Sequence, residues 1–230
     1  MTSATLIVEP DTESASAAAA HFIANRLTAV EQAQGRTAIA FSGGSTPAQM
    51  FKALATLVVP WAGVDIFQVD ERVVPKDDPQ SNWHSLRTWL LDPAEVPAEK
   101  CHRMNVGHPD LTVSAGEYAA TLRSLAPNGV DLIHLGLGDD GHTASWPPGD
   151  PVIRSAADVM VVGPYRGIRR MTLTPQVVNR AEIRLWLVSG ADKRAALKAL
   201  LRQDHRIPAS SARTEPGDVI FADAAAAGNA

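Results

Sequence analysis

Thr37-Ala38-Ile39-Ala40-Phe41 leads directly into Ser42-Gly43-Gly44-Ser45-Thr46-Pro47, and this stretch decides the fold. The apolar run has the length of a buried β-strand, and a helical pattern begins at Pro47. We expect Thr46 to cap that helix, with Gln49 closing a capping box. A strand, a glycine turn and a helix in this order are typical of α/β proteins with parallel sheets.

The same alternation continues on both sides of this stretch. Strands are predicted at residues 5–8, 37–41, 64–69, 131–136, 159–162, 184–188 and 218–221, and the clearest helices at residues 14–31, 47–57, 114–125 and 191–201. The pattern predicts one α/β domain over residues 1–230, a modified Rossmann-like fold of three layers. Its mostly parallel sheet would carry helices on both faces. We expect residues 222–230 to form a frayed tail.

Composition excludes several classes of function. The 230 residues carry a formal net charge of -4, so we expect no binding to nucleic acid or to an anionic membrane. Cys101 is the only cysteine, which rules out an intrachain disulfide and a thiolate-rich metal site. We predict no bound metal, a cytoplasmic location, and a monomer or weak homo-oligomer. A small anionic substrate stays possible, because it needs only a local basic pocket.

The glycine turn after the strand at residues 37–41 is a candidate anion site. Gly43 and Gly44 let backbone N–H groups approach a ligand, Ser45 and Thr46 add hydroxyl donors, and a helix N-terminus favours negative charge. A plain strand-to-helix turn is the alternative. The turn is not a Walker loop, because no lysine ends it.

Ionisable residues follow a second predicted strand. Asp70-Glu71-Arg72 comes directly after residues 64–69, where ligands of parallel sheets usually bind. A solvated loop with an internal Asp70–Arg72 pair explains this segment equally well.

A third strand end carries the candidate general base. The loop at residues 138–145 contains His142 between glycines, hydroxyl residues and the carboxylates of Asp139 and Asp140, which could orient the ring. The spacing Gly136-x-Gly138-x-x-Gly141 resembles a dinucleotide fingerprint, but the two aspartates would repel a pyrophosphate, so we reject that interpretation. His134, inside the predicted strand, is interpreted as a core histidine with satisfied hydrogen bonds.

Two basic residues could complete an anion site. Arg170 precedes Met171-Thr172-Leu173-Thr174, and Lys193 lies in the first turn of the helix predicted at residues 191–201. A basic residue at a helix N-terminus opposes the helix dipole. That cost is easier to explain if an anion binds there.

Taken in order, these blocks resemble the 6-phosphogluconolactonase family. They are Ser42 to Pro47, Asp70-Glu71-Arg72, Gly138-x-Asp140-Gly141-His142-Thr143-Ala144-Ser145, Arg170-x-Thr172-Leu173-Thr174 and Gly190-x-x-Lys193. The chain departs from the family at Trp146-Pro147-Pro148, where Leu-Phe-Pro is usual. We expect this departure to alter the rim of the pocket.

The resemblance implies hydrolysis of 6-phospho-D-glucono-1,5-lactone in the oxidative pentose phosphate pathway, without a cofactor. It implies that Gly43, Gly44, Ser45, Thr46, Arg170 and Lys193 bind the phosphate, and that Asp70, Arg72 and His142 form the reaction centre. In this mechanism His142 would activate water, and Arg72 or loop N–H groups would face the oxyanion.

Three alternatives follow from the same residues. An isomerase or deaminase of the same fold acts on amino-sugar phosphates, but it typically has Asp-Glu-Tyr in place of Asp70-Glu71-Arg72 and a glutamate after the histidine loop. A sugar-phosphate-sensing regulator would need a DNA-binding module, for which the predicted elements leave no room. A serine hydrolase would need a Gly-x-Ser-x-Gly elbow, which the sequence lacks.

Overall fold

A seven-stranded parallel sheet forms the centre of the computed structural model, which describes residues 4–44 and 46–228. In chain order its strands are β1 (Thr5–Glu9), β2 (Thr37–Phe41), β3 (Val64–Gln68), β5 (Cys101–His102), β6 (Leu132–Gly136), β9 (Ile183–Val188) and β10 (Val219–Asp223). They lie side by side in the order β1-β10-β9-β6-β2-β3-β5. Every pairing among them is parallel, as the sequence predicts.

Helices cover both faces of this sheet. They are α1 (Thr12–Gln34), α2 (Pro47–Ala55), α3 (Asn82–Leu86), α4 (Leu111–Leu125), α5 (Pro175–Val178), α6 (Arg194–Leu201) and α7 (Ala224–Ala227). Helix α3 continues as a π-helical turn over Arg87–Leu91, and a 3₁₀ turn over Ala191–Lys193 precedes α6. The three-layer α/β prediction is therefore confirmed.

Side-chain alternation along the strands explains the two covered faces. Ile39 and Phe41 of β2 pack in one apolar cluster with α1 and α2, while Ala38 and Ala40 pack in the other with α4. Successive side chains of a strand point to opposite faces, so a strand buried on both sides reads as a continuous apolar run. This is the pattern from which the central strands were predicted.

A second, smaller sheet was not predicted. It joins β4 (Asp70–Arg72), β8 (Ile168–Leu173) and β7 (Val159–Tyr165) in antiparallel order. Residues 159–162 form a strand as predicted, but this strand belongs to the small antiparallel sheet and not to the main parallel one. This small sheet carries Asp70, Arg72 and Arg170, so it positions candidate site residues beside the main sheet.

Two further local predictions need correction. Thr46 makes no capping hydrogen bond, because its backbone is already helical, so the capping box with Gln49 does not form. Residues 222–227 are not a frayed tail: they complete β10 and form α7, which Asp223 caps through Ala226 N. Asp223 also accepts hydrogen bonds from Gly190 N and Thr12 Oγ1, which tie this end of the chain to the sheet. Residues 229–230 lie outside the described part.

Among the described residues, no helix combines the length and apolarity that crossing a bilayer requires.

Candidate active site

One cavity collects nearly all the site residues predicted from the sequence. It has a volume of about 190 Å³, below the roughly 300–1,000 Å³ of pockets for drug-sized ligands, so it suits one small molecule. Its lining includes Gly43, Gly44, Thr46, Asp70, Arg72, His142, Arg170 and Lys193. Ser45, the remaining predicted residue, lies outside the described residues. The loops of three parallel strands and the small sheet thus converge at the carboxyl edge of the main sheet.

The glycine turn forms the wall of the cavity beside α2. A Cβ atom at Gly43 would overlap the side chain of Asn82, so only glycine allows this close packing. Helix α2 starts at Pro47, immediately after the turn, and presents its N-terminus to the cavity. Backbone N–H groups and the helix dipole at this end favour an anionic group.

Two arginines lie side by side near this wall. Arg72 of β4 and Arg170 of β8 are direct cross-strand partners, and like charges in that position repel. Burial lowers the pKa of Arg170, repulsion by Arg72 lowers it further, and Asp70 opposes both effects. The buried Nε of Arg170 has no hydrogen-bond partner among the described residues. Negative charge on a bound ligand would reduce this repulsion, and an acceptor at Arg170 Nε would supply the missing bond.

Lys193 adds a third cation to the cavity. Its Nζ lies 2.9 Å from Asp192 Oδ2, and its side chain is 21% exposed, so the ammonium group is still accessible to a ligand. Lys193 ends the 3₁₀ turn before α6 rather than lying inside the helix.

The three consecutive residues Asp70, Glu71 and Arg72 have different roles. Glu71 is buried and accepts hydrogen bonds from Ser81 Oγ and from the backbone N–H groups of Asn82 and Trp83, so it anchors the start of α3. Arg72 donates to the Gln80 carbonyl at 2.6 Å. Among the described residues Asp70 forms no ion pair with Arg72, so the alternative of a solvated loop with an internal Asp70–Arg72 pair is not supported.

Asp70 connects the small sheet to the histidine loop. Its carboxylate accepts hydrogen bonds from Ser145 Oγ at 2.6 Å and from Asn82 Nδ2 at 3.1 Å. Ser145 N in turn donates to Thr172 Oγ1 of β8. These buried bonds fix Asp70 at the cavity wall, where it can accept a hydrogen bond from a ligand.

His142 is held against its own loop by Asp140. His142 Nδ1 lies 2.5 Å from Asp140 Oδ1, which also accepts the backbone N–H of His142. A Cβ atom at Gly138 would overlap the imidazole ring, so glycine is needed for the ring to lie there. Nε2 has no partner among the described residues and is the nitrogen left for a ligand.

The hydrogen bonds around Asp140 keep it ionised. Burial would raise the pKa of Asp140, but hydrogen bonds from Tyr165 and His142 outweigh that effect and lower it to about 2. An ionised carboxylate on Nδ1 orients the ring and stabilises the imidazolium that forms when Nε2 takes a proton.

His134 differs from its predicted role. It is buried in β6, as predicted, but neither ring nitrogen has a well-formed hydrogen bond with a described residue. Burial lowers its pKa to about 3, and the adjacent Ser42 backbone offsets only part of this effect. His134 lines the cavity as a neutral group, so it is not the satisfied core histidine that the sequence suggested.

Trp146 does not shape the rim of the cavity as expected. Its side chain is fully buried in the core, and its indole Nε1 donates to the Leu173 carbonyl at 2.7 Å. The substitution at this position therefore changes the core packing between the histidine loop and β8, because Trp146 is not among the residues that line the cavity.

Two cavity neighbours were missed at the sequence level. Asn82 lies beneath Gly43 and binds Asp70, and Tyr165 of β7 binds Asp140. Asn82 comes from a polar stretch, and Tyr165 follows directly after the strand predicted at residues 159–162. Ser81 gave one usable signal, because it caps α3 and thereby fixes Asn82 at the first helical position.

Comparisons with known proteins place the chain among sugar-phosphate enzymes. The family model described as glucosamine-6-phosphate isomerases/6-phosphogluconolactonase matches residues 10–221. A 6-phosphogluconolactonase of Nostoc sp. is 36% identical over 199 residues, which cover 84% of this chain and 83% of that protein.

Solved structures of the same kind superpose on the whole chain. The crystal structure of a 6-phosphogluconolactonase from Thermotoga maritima has a TM-score of 0.88 and 26% identity, and the match covers 96% of this chain and 99% of the other. A monomeric glucosamine-6-phosphate deaminase has a TM-score of 0.86 over 97% of this chain and 98% of its own, but only 20% identity, so it shows the shared fold alone.

Proposed function

The chain belongs to the glucosamine-6-phosphate isomerase/6-phosphogluconolactonase family, and we propose that it is a lactonase that hydrolyses 6-phospho-D-glucono-1,5-lactone to 6-phospho-D-gluconate in the oxidative pentose phosphate pathway. One observation carries the proposal. A single cavity holds a cationic, glycine-lined end and, facing the same space, an imidazole backed by an ionised carboxylate. Those two ends match the phosphate and the carbonyl carbon of the substrate.

His142 acts as the general base in this proposal. A δ-lactone is an activated ester, so its hydrolysis needs a positioned water and a base but no covalent nucleophile. Nε2 of His142 takes a proton from water as the oxygen attacks C1, and Asp140 stabilises the imidazolium through Nδ1. The same proton then passes to the ring oxygen when the C1–O5 bond breaks.

Arg72 and Asp70 serve the sugar ring. The guanidinium of Arg72 is held by the Gln80 carbonyl at the cavity wall and supplies positive charge for the developing oxyanion. Asp70, fixed by Ser145 and Asn82, accepts hydrogen bonds from sugar hydroxyls. Arg72 and Asp70 therefore act on the sugar ring separately, without a direct contact between them.

The phosphate occupies the cationic end. Gly43, Gly44, Ser45 and Thr46 supply backbone and hydroxyl donors, and Arg170 and Lys193 supply charge. Gripping the phosphate fixes the distance between C1 and the attacking water, so binding energy remote from the reaction contributes to the rate.

The isomerase alternative is less well supported. Its typical tyrosine is replaced by Arg72, and Asp140 is the only described carboxylate that bonds His142, so this histidine lacks the second carboxylate partner that ring opening would use. The sensor alternative leaves the His142–Asp140 pair without a purpose.

The proposal includes a monomer or weak homo-oligomer in the cytoplasm, acting on one small sugar phosphate. Within the described residues, large exposed apolar side chains lie apart from one another in the chain, for example Val8 on β1, Val58 in the loop after α2 and Val113 on α4, which supports weak self-association. Light scattering on the purified protein and fractionation of the source cells test these two points.

The deciding experiment is a two-substrate assay. Purified protein is given freshly generated 6-phosphogluconolactone or glucosamine 6-phosphate, and acid release and ammonia release are followed above the spontaneous rate. We expect acid release only. His142→Ala should lower kcat by about 100-fold or more, the usual scale for loss of a general base. Ammonia release, or a nearly unchanged His142→Ala rate, would contradict the assignment.

A further inference from the structure

Tyr165 lies at the tip of the β7–β8 hairpin, and its hydroxyl turns back toward the histidine loop. The hydroxyl donates to Asp140 Oδ2 at 2.5 Å, while Oδ1 of the same carboxylate accepts from His142 Nδ1. It also lies 3.2 Å from Nδ1 itself. One carboxylate therefore holds the phenol and the imidazole together.

The hairpin is built to keep Tyr165 in this place. Arg166 and Gly167 both have positive φ values, 49° and 82°, as a two-residue turn of type I′ requires. Arg166 Nη2 donates to Asp139 Oδ1 at 3.0 Å, so the turn is tied to the histidine loop at a second point. Two neighbouring aspartates of one loop thus bind two neighbouring residues of the hairpin.

The ring of Tyr165 also contacts two side chains that line the cavity. Its centroid lies 5.3 Å from that of His142 in an edge-to-face arrangement, and the guanidinium carbon of Arg170 lies 5.0 Å from it. Cation–π contacts of this kind hold an arginine in place. Tyr165 therefore contacts both Arg170, a proposed phosphate-binding residue, and His142, the proposed base.

We infer that Tyr165 is a positioning residue of the lactonase reaction: it holds Asp140 and His142 in register through its hydroxyl and Arg170 through its ring. The inference rests on the proposed function, in which His142 is the base. Tyr165 lies outside the sequence blocks that resemble the family, between residues 138–145 and residues 170–174.

The charges around His142 fix the direction of the effect. The groups that face its ring or its partner carboxylate are Asp139 and Asp140 on its own loop, Tyr165 and Arg166 in the hairpin, Arg170 on β8, and Lys193 before α6. The Tyr165 hydroxyl donates a hydrogen bond to the Asp140 carboxylate and so stabilises part of its negative charge. Without it, that charge acts more fully on the imidazole and favours its protonated form.

Tyr165→Phe is the test, because it removes the hydroxyl and keeps the ring. We expect kcat to fall about tenfold through loss of alignment, with KM changed little, and the acid limb of the kcat/KM profile to move up by about 0.5 pH unit. Tyr165→Ala should also raise KM, because the Arg170 contact is lost. A Tyr165→Phe profile that superposes on that of the wild type would overturn the inference.

Tyr118→Phe is the matched control, since Tyr118 is the only other tyrosine. Its hydroxyl is buried and bonds the backbone of Gln68, away from the cavity lining. This variant should lose stability but keep the wild-type pH profile. A profile that moves equally in both variants would mean that Tyr165 has only a structural role, and would also overturn the inference.

An NMR titration of the histidine ring signals separates this inference from the proposed function. The His142 signal is assigned as the one absent in His142→Ala, and its midpoint is read in wild type and in Tyr165→Phe without substrate. An upward shift in Tyr165→Phe supports the Tyr165–Asp140–His142 contact even if the protein fails the lactonase assay. No shift, in a protein that hydrolyses the lactone, refutes the inference and leaves the function standing.

Discussion

At the scale of single residues, the proposed function gives different tasks to the cations of the cavity and to the histidine–aspartate pair. Lys193 and Arg170 would bind the phosphate, and His142 with Asp140 would activate the water. A side chain that contacts only the phosphate contributes binding energy that a substrate without phosphate cannot use. Phosphate binding and catalysis can therefore be distinguished by comparing substrates with and without a phosphate.

Lys193→Ala should impair phosphate binding without impairing catalysis. We expect kcat/KM for 6-phosphogluconolactone to fall about 10- to 100-fold, the value of a hydrogen bond between charged groups, and that for unphosphorylated gluconolactone to change less than about twofold. Lys198→Ala, an exposed lysine on the adjacent helix α6, is the control and should leave both rates unchanged. Equal losses of Lys193→Ala on both substrates would remove Lys193 from the phosphate site.

Candidate residues that follow a buried strand in the sequence lie together in the cavity. Gly43, Asp70 and His142 each follow a recognisable apolar run, and parallel strands bring such ends to one edge. Asn82 and Tyr165 were missed because each contacts a site residue from a segment that is distant in the chain. Asn82 lies beneath Gly43, and Tyr165 meets Asp140 across 25 residues.

At the scale of elements, the small antiparallel sheet is what sequence patterns failed to predict. Strand β4 has only three residues, all charged, and β8 has two arginines directly after its first residue, so neither shows the apolar alternation by which strands are recognised. Their pairing comes from the register Asp70↔Thr172 and Arg72↔Arg170, which no local pattern encodes. The charges are there because this sheet forms a wall of the cavity.

Glu71 joins this small sheet to helix α3. Its buried carboxylate accepts five hydrogen bonds, from Gln68 Nε2, Ser81 Oγ and the backbone N–H groups of Arg72, Asn82 and Trp83. Two of those donors belong to the first turn of α3, which places Asn82 under the glycine turn. The element that positions Asn82 thus depends on one carboxylate.

Glu71→Gln should therefore destabilise the fold. Replacing a carboxylate oxygen by an amide group removes acceptors from buried donors, and we expect a loss of about 2–4 kcal/mol in the free energy of unfolding. Urea unfolding followed by circular dichroism measures it. Asp77→Asn, on the exposed part of the same segment, serves as the control and should change stability by less than about 0.5 kcal/mol. Similar losses in both variants would contradict the anchoring role of Glu71.

At the scale of the whole molecule, both ends of the described part of the chain are bound to the sheet that forms the cavity. Strand β1 pairs with β10, and Asp223 at the end of β10 bonds Gly190 N at the start of the segment that carries Lys193. The sequence suggested a frayed tail because four alanines carry no amphipathic pattern. Their helix forms because Asp223 caps it and because Ala226 is buried in the core.

The same sheet buries an unpaired histidine, which ties global stability to pH. His134 packs between Phe41 and Phe51, with ring centroids 6.2 and 6.3 Å away. Its pKa is lowered to about 3 by burial, whereas an unfolded histidine has a pKa of about 6.5. Below about pH 6.5 the histidine of the unfolded chain binds a proton, whereas His134 in the folded protein stays neutral until the pH approaches 3. Stability from this residue is therefore complete above pH 6.5 and is lost as the pH falls toward 3.

His134→Leu should make the protein less sensitive to acid. From pH 7.5 to pH 4.5, the unfolding free energy of wild type should fall by about 2–3 kcal/mol more than that of the variant, because leucine has no proton to gain. Urea unfolding at the two pH values measures the difference. His21→Gln, which replaces an exposed histidine on α1, should follow the wild type. If His134→Leu and wild type lose the same stability on acidification, the neutral, buried state of His134 does not govern the acid response of this fold.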